Sequence, residues 1–480
     1  NIERRARPPR SRKALADALR RLKPSVIRWP GGCFADSYNW KDGVGPMAGR
    51  PRRTNFWAAS EYLAKGPDGP QKYDPNHFGT NEFVRFCRLA GGEPYLAANL
   101  RSAPARDFYE WVEYCNSPAG STTLADLRAG GGERDPLNVR YWGVGNESWG
   151  CGGNFSPEEY AVEFRRFTAW VPSYGVRLAL IGSGPNDDNR NWTRRFFERA
   201  GGAGLGKLWG WGAHHYSWNA SGGRTRNWFE GKGDAVRFDT EQYYEILREA
   251  NGTERIIQSQ WDVMGEFDPQ HRVKIAFDEW GAWHRPGTEP FPEALLGQQN
   301  TMRDAVLAGL SFDIFHRHAD KVAMANIAQL VNCLQSLFFA HEDKFCLTPT
   351  YHVFAMNAPH QGARSLRVET AAPSLSYTRN GQPATLPRLS SSASLRDRTL
   401  TVSVTNLHIS DALPVEIRLH GARAGKADAL ALAATDPRAH NTFEQPRNVE
   451  PKPAAANVRG GAVLYTCPPA SVTRLAVALE

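Results

Sequence analysis

The chain of 480 residues contains no run of about 18 apolar residues, the length that a membrane-spanning helix requires. It also contains no Cys-x-x-Cys pair, and its cysteine count is odd. A scattered, odd set is typical of reduced thiols and argues against a disulfide framework or a zinc site. We therefore expect no membrane partner, no cofactor and a slight preference for the cytoplasm. The cysteines are Cys33, Cys87, Cys115, Cys151, Cys333, Cys346 and Cys467.

The positive charge of the chain is concentrated near its first residues. The formal net charge is +8, and arginine and lysine are dense between Arg4 and Lys23. No aromatic residues alternate with these cations and no nucleic-acid motif is present, so a solvated basic helix is favoured over a nucleic-acid site. No signal peptide is visible, and because residue 1 is Asn we expect the natural start to lie upstream.

Strand-like and helix-like segments alternate over the first three quarters of the chain, which predicts a parallel sheet covered by helices. Helices are predicted over 11–22, 81–90, 157–170 and 298–316, among others. Seven strands are predicted, and a closed (β/α)8 barrel would need one more before residue 1. The predicted strands are Ser25–Gly32, Glu93–Leu100, Tyr141–Glu147, Leu178–Pro185, Trp209–Ser217, Lys274–Gly281 and Val322–Leu330.

Near residue 361 the sequence pattern changes to short β-like runs separated by turns. The chain is also longer than the roughly 250 to 300 residues that a single hydrophobic core supports, so a second domain is expected. We predict an α/β (β/α)8 TIM barrel over 1–360, lacking its first strand, and a C-terminal antiparallel β-sandwich over 361–480. The Ala-rich stretch from Ala422 to Ala434 is predicted to be a loop or an irregular insertion.

Two glutamates end apolar, strand-like runs: Glu147 in Tyr-Trp-Gly-Val-Gly-Asn-Glu and Glu279 in Lys-Ile-Ala-Phe-Asp-Glu-Trp. Carboxylates are rarely placed at such positions for stability. In a parallel barrel the C-terminal strand ends face one mouth, so the two side chains are expected to meet there. A carboxylate pair can hydrolyse a glycosidic bond, one group donating a proton and the other attacking the sugar.

Five segments around these glutamates resemble family 51 of the glycoside hydrolases, the α-L-arabinofuranosidases, and they follow one another in that family's order. They are Arg28–Pro46, Gly143–Gly153, Phe277–Gly281, Met324–Asn332 and Leu347–Phe354. The resemblance implies a retaining, exo-acting enzyme that releases terminal arabinose from arabinan, arabinoxylan or arabino-oligosaccharides, and a homo-oligomer. A retaining pair should stand about 5 to 5.5 Å apart.

The resemblance also implies roles for individual residues. Glu147 would be the general acid/base and Glu279 the nucleophile, numbered on the fourth and seventh strands of a complete barrel. Arg28 and Asn146 would hold the sugar and the nucleophile, Trp283 would form an apolar wall, and Gln329 would hydrogen-bond to the sugar. His214 and Tyr216 would line the sugar subsite, as would Cys33, where the family carries Asn or Cys.

One feature of the family is missing. Members carry a further glutamate in a Glu-His-Leu-Gly-like motif after the first barrel strand, and Glu3 does not match it. We expect this strand and its glutamate upstream of Asn1.

Other interpretations stay open at the level of the sequence. A β-xylosidase or endoglucanase could use the same scaffold, and a non-catalytic carbohydrate-binding protein would keep the aromatic residues without needing the carboxylates. His214 and His215 could be core or metal-binding histidines, although no further ligand stands at metal spacing. The glycines of 201–206 lack phosphate-loop spacing and are predicted to form a turn. Asp278 and Asp42 are predicted to lie behind the site or in loops, and Trp280 either packs or lines the site.

Overall fold

Seven parallel strands form one sheet in chain order in the computed structural model, which describes residues 10–54, 73–219, 232–285, 287–288, 290 and 296–480. Each predicted strand is present, usually two to four residues shorter than the apolar run that predicted it. The strands are β1 (Val26–Trp29), β2 (Glu93–Ala98), β3 (Tyr141–Val144), β4 (Ala179–Gly182), β5 (Leu208–Ser217), β6 (Lys274–Ala282) and β7 (Val322–Ile327).

Ten α-helices in the described residues connect or flank these strands, as expected for a barrel of βα units. Local sequence explains where several begin. In the helix Pro157–Thr168, Pro157 stands at the first position and the Ser156 side chain accepts a hydrogen bond from the Glu159 amide. No helix among the described residues is long and apolar enough to cross a membrane. The helices are α1 (Arg10–Leu22), α2 (Thr80–Ala90), α3 (Ala105–Asn116), α4 (Thr123–Gly130), α5 (Pro157–Thr168), α6 (Arg190–Leu205), α7 (Thr240–Asn251), α8 (Thr253–Gly265), α9 (Met302–Arg317) and α10 (Pro349–Asn357).

The strands are apolar because helices cover them from outside and side chains fill the barrel inside. Trp142 of β3 and Trp211 of β5 are completely buried, and both belong to one continuous core that also includes α5, α6 and α9. The predicted turn at 201–206 is wrong in part, since α6 runs into it across a break at Gly201, whose φ is +63°.

The sheet is nearly closed. Its edge strands β1 and β7 come within 8 Å of each other at their Cα atoms, but no pairing joins them in the described part of the chain. Helix α1 lies over this seam, where Ala18, Leu19 and Leu22 pack against Phe338 and Tyr351. An apolar cover of this kind shields strand edges that would otherwise be open to pairing.

The C-terminal part consists of antiparallel sheets of six, three and two strands, as the sequence predicted. The strands are β8 (Arg364–Leu366), β9 (Ser374–Arg379), β10 (Gln382–Pro387), β11 (Leu389–Arg396), β12 (Thr399–Asn406), β13 (Leu413–Ile417), β14 (Ala424–Leu432), β15 (Lys452–Ala454), β16 (Asn457–Arg459), β17 (Ala462–Cys467) and β18 (Ser471–Leu479). Their orders in the three sheets are β8-β11-β12-β18-β14-β15, β13-β17-β16 and β9-β10. Two further ribbons pair Arg53–Thr54 with Tyr73–Asp74 and Phe338–His341 with Lys344–Leu347.

The predicted loop at Ala422–Ala434 is wrong, because most of it forms β14, which pairs with β18 over its whole length. Alanine has low intrinsic strand propensity, and for that reason the Ala-rich sequence was predicted to be a loop. Ala424, Ala429 and Ala431 are nevertheless buried, so small side chains here permit close packing. The domain boundary at residues 360 and 361 stays a prediction.

A buried polar layer joins α9 to the six-stranded sheet. Asp313 accepts hydrogen bonds from Ser392 and Thr405, each 2.9 Å long, and the rings of His316 and His360 lie 4.3 Å apart. His360 is satisfied by the hydroxyls of Ser394 and Ser403, at 2.8 and 3.0 Å. Burial lowers the pKa of His360 to about 4, so the neutral ring is the stable form.

This layer should make stability depend on pH. An unfolded histidine binds a proton near pH 6.5 whereas folded His360 does so only near pH 4, so folding becomes less favourable as pH falls through this window. In His360→Gln that contribution disappears. The wild type should lose up to about 3 kcal/mol more than the variant between pH 6.5 and 4, measured by urea unfolding at stepped pH.

The exposed His420 supplies the matched control for this measurement. His420→Gln should retain the wild-type slope. Parallel stability curves for wild type and His360→Gln would contradict the assignment.

Candidate active site

The backbone after β3 presents Glu147 at the mouth of the barrel. Gly145 has φ +87° and Glu147 itself has φ +40°, a left-handed conformation that non-glycine residues seldom adopt. Gly152 packs on the same turn so closely that a Cβ would lie 1.7 Å from the Asn146 carbonyl oxygen. The chain thus holds a strained glutamate against a close-packed loop, which is typical of functional sites.

Glu279 lies within β6, in register with His214 of the neighbouring strand β5. The ladder between these strands is irregular between Gly212 and His214, and that between β6 and β7 is irregular between Phe277 and Trp280. Only 7% of Glu279 is exposed. The irregularities fall beside the carboxylate, as bulges next to active sites often do.

The two glutamates meet, as the strand ends predicted. One oxygen of each carboxylate and a ring nitrogen of His214 lie within 4.8 Å of one another. His214 Nδ1 is 2.9 Å from Glu147 Oε1 and 3.6 Å from Glu279 Oε2. Retaining glycosidases space their carboxyl groups by about 5 to 5.5 Å and inverting enzymes by about 6.5 to 9.5 Å, and the close approach of these two oxygens favours the shorter spacing.

Glu279 is surrounded by donors. Arg28 Nη1 donates to its Oε1 at 2.6 Å, and the Tyr216 hydroxyl donates to its Oε2 at 2.8 Å. Burial opposes the ionised form, but the charges of His214 and Arg28 together with these hydrogen bonds hold the pKa of Glu279 below its usual range. An ionised carboxylate in this position can act as a nucleophile.

Arg28 also connects the glutamates through Asn146. Its Nη2 donates to Asn146 Oδ1 at 2.6 Å, which leaves the Asn146 Nδ2 group buried and without a partner among the described residues. Burial works against the Arg28 charge, yet Glu279 and Asp278 raise its pKa. The amide Nδ2 is therefore available to a ligand, since a buried donor without a partner is costly.

His214 forms the other connection. Its Nε2 lies 3.2 Å from Asp278 Oδ1, and Asp278 Oδ2 accepts a hydrogen bond of 2.7 Å from Tyr95. Burial alone would lower the pKa of His214, but Glu279, Asp278 and Glu147 raise it well above the ordinary value. Asp278 lies behind the glutamates, as predicted. Tyr95 was missed, because a tyrosine inside an apolar strand gives no functional signal.

The prediction that all seven cysteines are unpaired is wrong for two of them. Cys33 and Cys151 form a disulfide across 118 residues, with Cα atoms 5.6 Å apart. The loops after β1 and β3 bring them together, which no local spacing could reveal. Their sulfurs lie 3.8 and 3.5 Å from Glu147 Oε2. The remaining five cysteines are free.

An aromatic wall stands beside Tyr216. The ring of Trp283, the first residue after β6, meets the Tyr216 ring edge-on with centroids 4.9 Å apart. Lys232, missed in the sequence, places its Nζ 3.6 Å from the centroid of Trp283, and burial lowers its pKa to about 6. The sequence could not indicate Lys232, which lies in no recognisable motif.

The remaining candidate residues make no described contact with the Glu147 and Glu279 carboxylates that would assign them a role in the site. Gln329 follows β7, and its side chain makes no hydrogen bond to either glutamate within the described residues. Cys333 was also missed; burial and the charge of Glu279 raise its pKa to about 12. His215 lies 2.6 Å from Asp187 Oδ1, and Trp280 stacks on Phe354, so both have packing partners. Asp42 is paired with Arg53.

Comparison with known proteins identifies the family. Family models described as "Alpha-L-arabinofuranosidase 1 domain" and "Alpha-L-arabinofuranosidase C-terminal domain" match residues 18–228 and 278–471. An intracellular exo-alpha-L-arabinofuranosidase of Bacteroides ovatus is 35% identical over 96% of this chain and 85% of its own length. A glycoside hydrolase family 51 arabinofuranosidase from Xanthomonas axonopodis pv. citri is 34% identical, with a TM-score of 0.88 over 97% of this chain and 90% of that chain.

The chain belongs to glycoside hydrolase family 51. The resemblance drawn from its motifs and the predicted barrel with a β-sandwich are thereby confirmed. A further relative of the chain, an intracellular exo-alpha-(1->5)-L-arabinofuranosidase of Streptomyces lividans, is 28% identical over 96% of this chain and 67% of its own length.

The hydrogen bond from the Tyr216 hydroxyl should determine the pH at which kcat/KM falls on the acid side of the pH profile. In Tyr216→Phe, Glu279 loses a hydrogen bond to its ionised form, so its pKa should rise and the acid limb of kcat/KM should move to higher pH. A hydrogen bond to a charged group contributes about 1.5 to 3 kcal/mol, which corresponds to a shift of about one to two pH units.

The matched control is Tyr95→Phe, which removes a hydroxyl from Asp278 and leaves both bonds to Glu279 in place. Its acid limb should move less. An unchanged limb in Tyr216→Phe would show that this bond does not stabilise the nucleophile.

Proposed function

We propose that the chain is a retaining, exo-acting α-L-arabinofuranosidase that works by double displacement. The observation that carries this proposal is the close pair formed by Glu147 and Glu279, whose oxygens lie within 4.8 Å together with His214. Close approach of the two carboxylates favours the retaining arrangement, in which no water stands between the sugar and the second carboxylate. Membership of family 51 supports arabinofuranosides as the substrate class.

In the first step Glu279 attacks the anomeric carbon while Glu147 gives its proton to the glycosidic oxygen. The bond to the leaving group breaks and a glycosyl ester forms on Glu279. In the second step water attacks the same carbon, Glu147 takes a proton from that water, and Glu279 leaves as the carboxylate. Two inversions give net retention.

The surroundings favour this division of roles. Arg28 and Tyr216 bind both oxygens of Glu279, so Glu279 is held ionised and fixed in orientation. Among the described residues, the Glu147 carboxylate lies near His214 at Oε1 and near the two sulfurs at Oε2, and 17% of its side chain is exposed. The more exposed carboxyl group is the better placed to exchange protons with a leaving group and with water.

Sugar binding is assigned to the groups around the pair. The free Nδ2 of Asn146 would donate to a sugar hydroxyl, and contacts of this kind raise the rate when they strengthen in the transition state. Trp283 would form the apolar wall beside Tyr216, whereas Cys33 and Gln329 would complete the subsite.

Rival activities can be separated by substrate. A β-xylosidase or endoglucanase would use the same two carboxylates but hydrolyse a different sugar, and a binding protein would hydrolyse none. A panel of aryl glycosides on the full chain should show the α-L-arabinofuranoside turned over fastest. Faster turnover of the β-xyloside or a cellobioside, or no turnover, would refute the proposal.

The roles of the glutamates have distinct signatures. Glu147→Ala should lower kcat/KM by about 10²- to 10⁴-fold for substrates with poor leaving groups and much less for activated aryl substrates. Azide should restore the activated reaction and give a glycosyl azide, because a small anion occupies the space of the missing base. Glu279→Ala should lose turnover on every substrate.

Glu444→Ala, at an exposed position, serves as the control for a general effect of losing a glutamate, and it should behave as wild type. Exchange of the two signatures between Glu147→Ala and Glu279→Ala would reverse the assignment.

Stereochemistry tests the mechanism independently of the roles. Proton NMR during hydrolysis should show the anomer with the configuration of the substrate as the first product, before mutarotation. An inverted first product would exclude double displacement.

The setting of the reaction is proposed from the relatives. The proteins of Bacteroides ovatus and Streptomyces lividans are named intracellular, and we propose a cytoplasmic enzyme acting on arabinan, arabinoxylan or arabino-oligosaccharides. A homo-oligomer is also proposed. Light scattering on the eluting protein would test the oligomer, and a monomer would contradict it.

A further inference from the structure

Three donor atoms converge on one side of the proposed acid/base. The sulfurs of Cys33 and Cys151 lie 3.8 and 3.5 Å from Glu147 Oε2, and all three atoms fall within 4.8 Å of one another. All three residues are partly exposed, so solvent and ions can reach them. The other oxygen, Oε1, is held by His214, which leaves Oε2 turned towards the sulfurs.

These distances fit a metal ion once the sulfurs separate. A tetrahedral zinc site has Zn–S bonds of about 2.3 Å and Zn–O bonds of about 2.1 Å, which places each sulfur about 3.6 Å from the oxygen. The observed separations already match this value. Only the two sulfurs must move apart, to about 3.8 Å, and reduction of their bond permits that movement.

The chemistry of the donors selects the ion. Two thiolates and one carboxylate prefer a borderline or soft divalent cation over magnesium or calcium, and zinc is the common one. The donors come from two loops, with Cys33 after β1 and both Glu147 and Cys151 after β3. Bound zinc would cross-link the loops much as the disulfide does.

We propose that reduction of the Cys33–Cys151 disulfide creates a zinc site whose third ligand is Glu147. A dithiol reductant donates two electrons, the S–S bond breaks into two thiols, and the reductant becomes a disulfide. Zinc then displaces both thiol protons and forms two Zn–S bonds and one Zn–O bond, with water completing the tetrahedron. The oxidised enzyme lacks these ligands.

The consequence for activity rests on the proposed role of Glu147. Once zinc occupies Oε2, this carboxyl group cannot carry or accept the proton that the leaving group and the attacking water require. The disulfide therefore keeps the enzyme insensitive to zinc, whereas the dithiol form is inhibited by it.

A second group of residues around Glu147 could also bind a metal ion, so the test must distinguish the two sites. One oxygen each of Glu147 and Glu279 and a nitrogen of His214 also lie within 4.8 Å of one another, and these groups are the same in both redox states. Metal binding there would not depend on reduction. The free thiol of Cys333, beside Glu279, is likewise present in both states.

The test uses the full chain in two states, oxidised and reduced with dithiothreitol that is then removed without oxygen. Alkylation and mass spectrometry should count five thiols before reduction and seven after it. Cobalt(II), a spectroscopic substitute for zinc, should give a thiolate charge-transfer band only in the reduced protein, with one ion per chain, and added zinc should abolish that band.

Variants identify the ligands. Cys33→Ser and Cys151→Ser should each abolish the band, Glu147→Gln should weaken cobalt binding at least tenfold, and Cys333→Ser should leave the band intact. Zinc should inhibit aryl arabinofuranoside hydrolysis at least tenfold more strongly in the reduced enzyme. Cobalt binding is measured without substrate, so it tests the metal site even if the proposed function is wrong.

Three results would overturn the proposal. Equal cobalt binding in both redox states would assign the metal to the cluster with His214 and Glu279. A reduced protein with seven thiols and no band would show that the loops do not form the site. A thiol count that stays at five in the folded protein under excess dithiothreitol would show that the disulfide is closed to reductant.

Discussion

The buried guanidinium of Arg28 is the interaction on which the site depends. Its Nη1 and Nη2 atoms reach Glu279 and Asn146 at 2.6 Å, and its Nε lies 3.7 Å from Asp278. Its side chain is 6% exposed, so the charge receives little solvation from water and depends on these partners. Without Arg28, the buried carboxylates of Asp278 and Glu279 would lose this positive charge, and the loss would favour protonation of the nucleophile.

This interaction in turn requires the barrel. Arg28 belongs to β1, Asn146 follows β3 and Glu279 lies in β6, so only a sheet that curves round on itself brings them together. A flat sheet in the same order would separate β1 from β6 by four intervening strands, about 24 Å in all at 4.8 Å per step. The charge network and the curvature of the sheet therefore support one another: closure creates the network, and the network bridges strands that share no backbone pairing.

Sequence patterns predicted the elements that depend on local chemistry. Apolar runs gave all seven barrel strands, and their ends gave Glu147 and Glu279, because a carboxylate that ends such a run is unusual in itself. Contacts between distant segments left no local signal. The Cys33–Cys151 disulfide joins two loops 118 residues apart, and Tyr95 looks like any other core aromatic. Strand β14 was missed because its alanines depend on pairing with β18 and contribute little intrinsic preference.

Glu147 stands between two different kinds of neighbour. Its Oε1 faces His214, which also contacts Asp278, and the ionisation of this group of residues depends on pH. Its Oε2 faces the Cys33–Cys151 disulfide, which can be reduced to two thiols. A side chain that both donates and accepts a proton in one catalytic cycle should not be held in one state by many charged partners, as Glu279 is by Arg28 and His214. On the Oε2 side the disulfide brings neither a charge nor a hydrogen-bond donor, so it does not add to the effect that His214 exerts at Oε1.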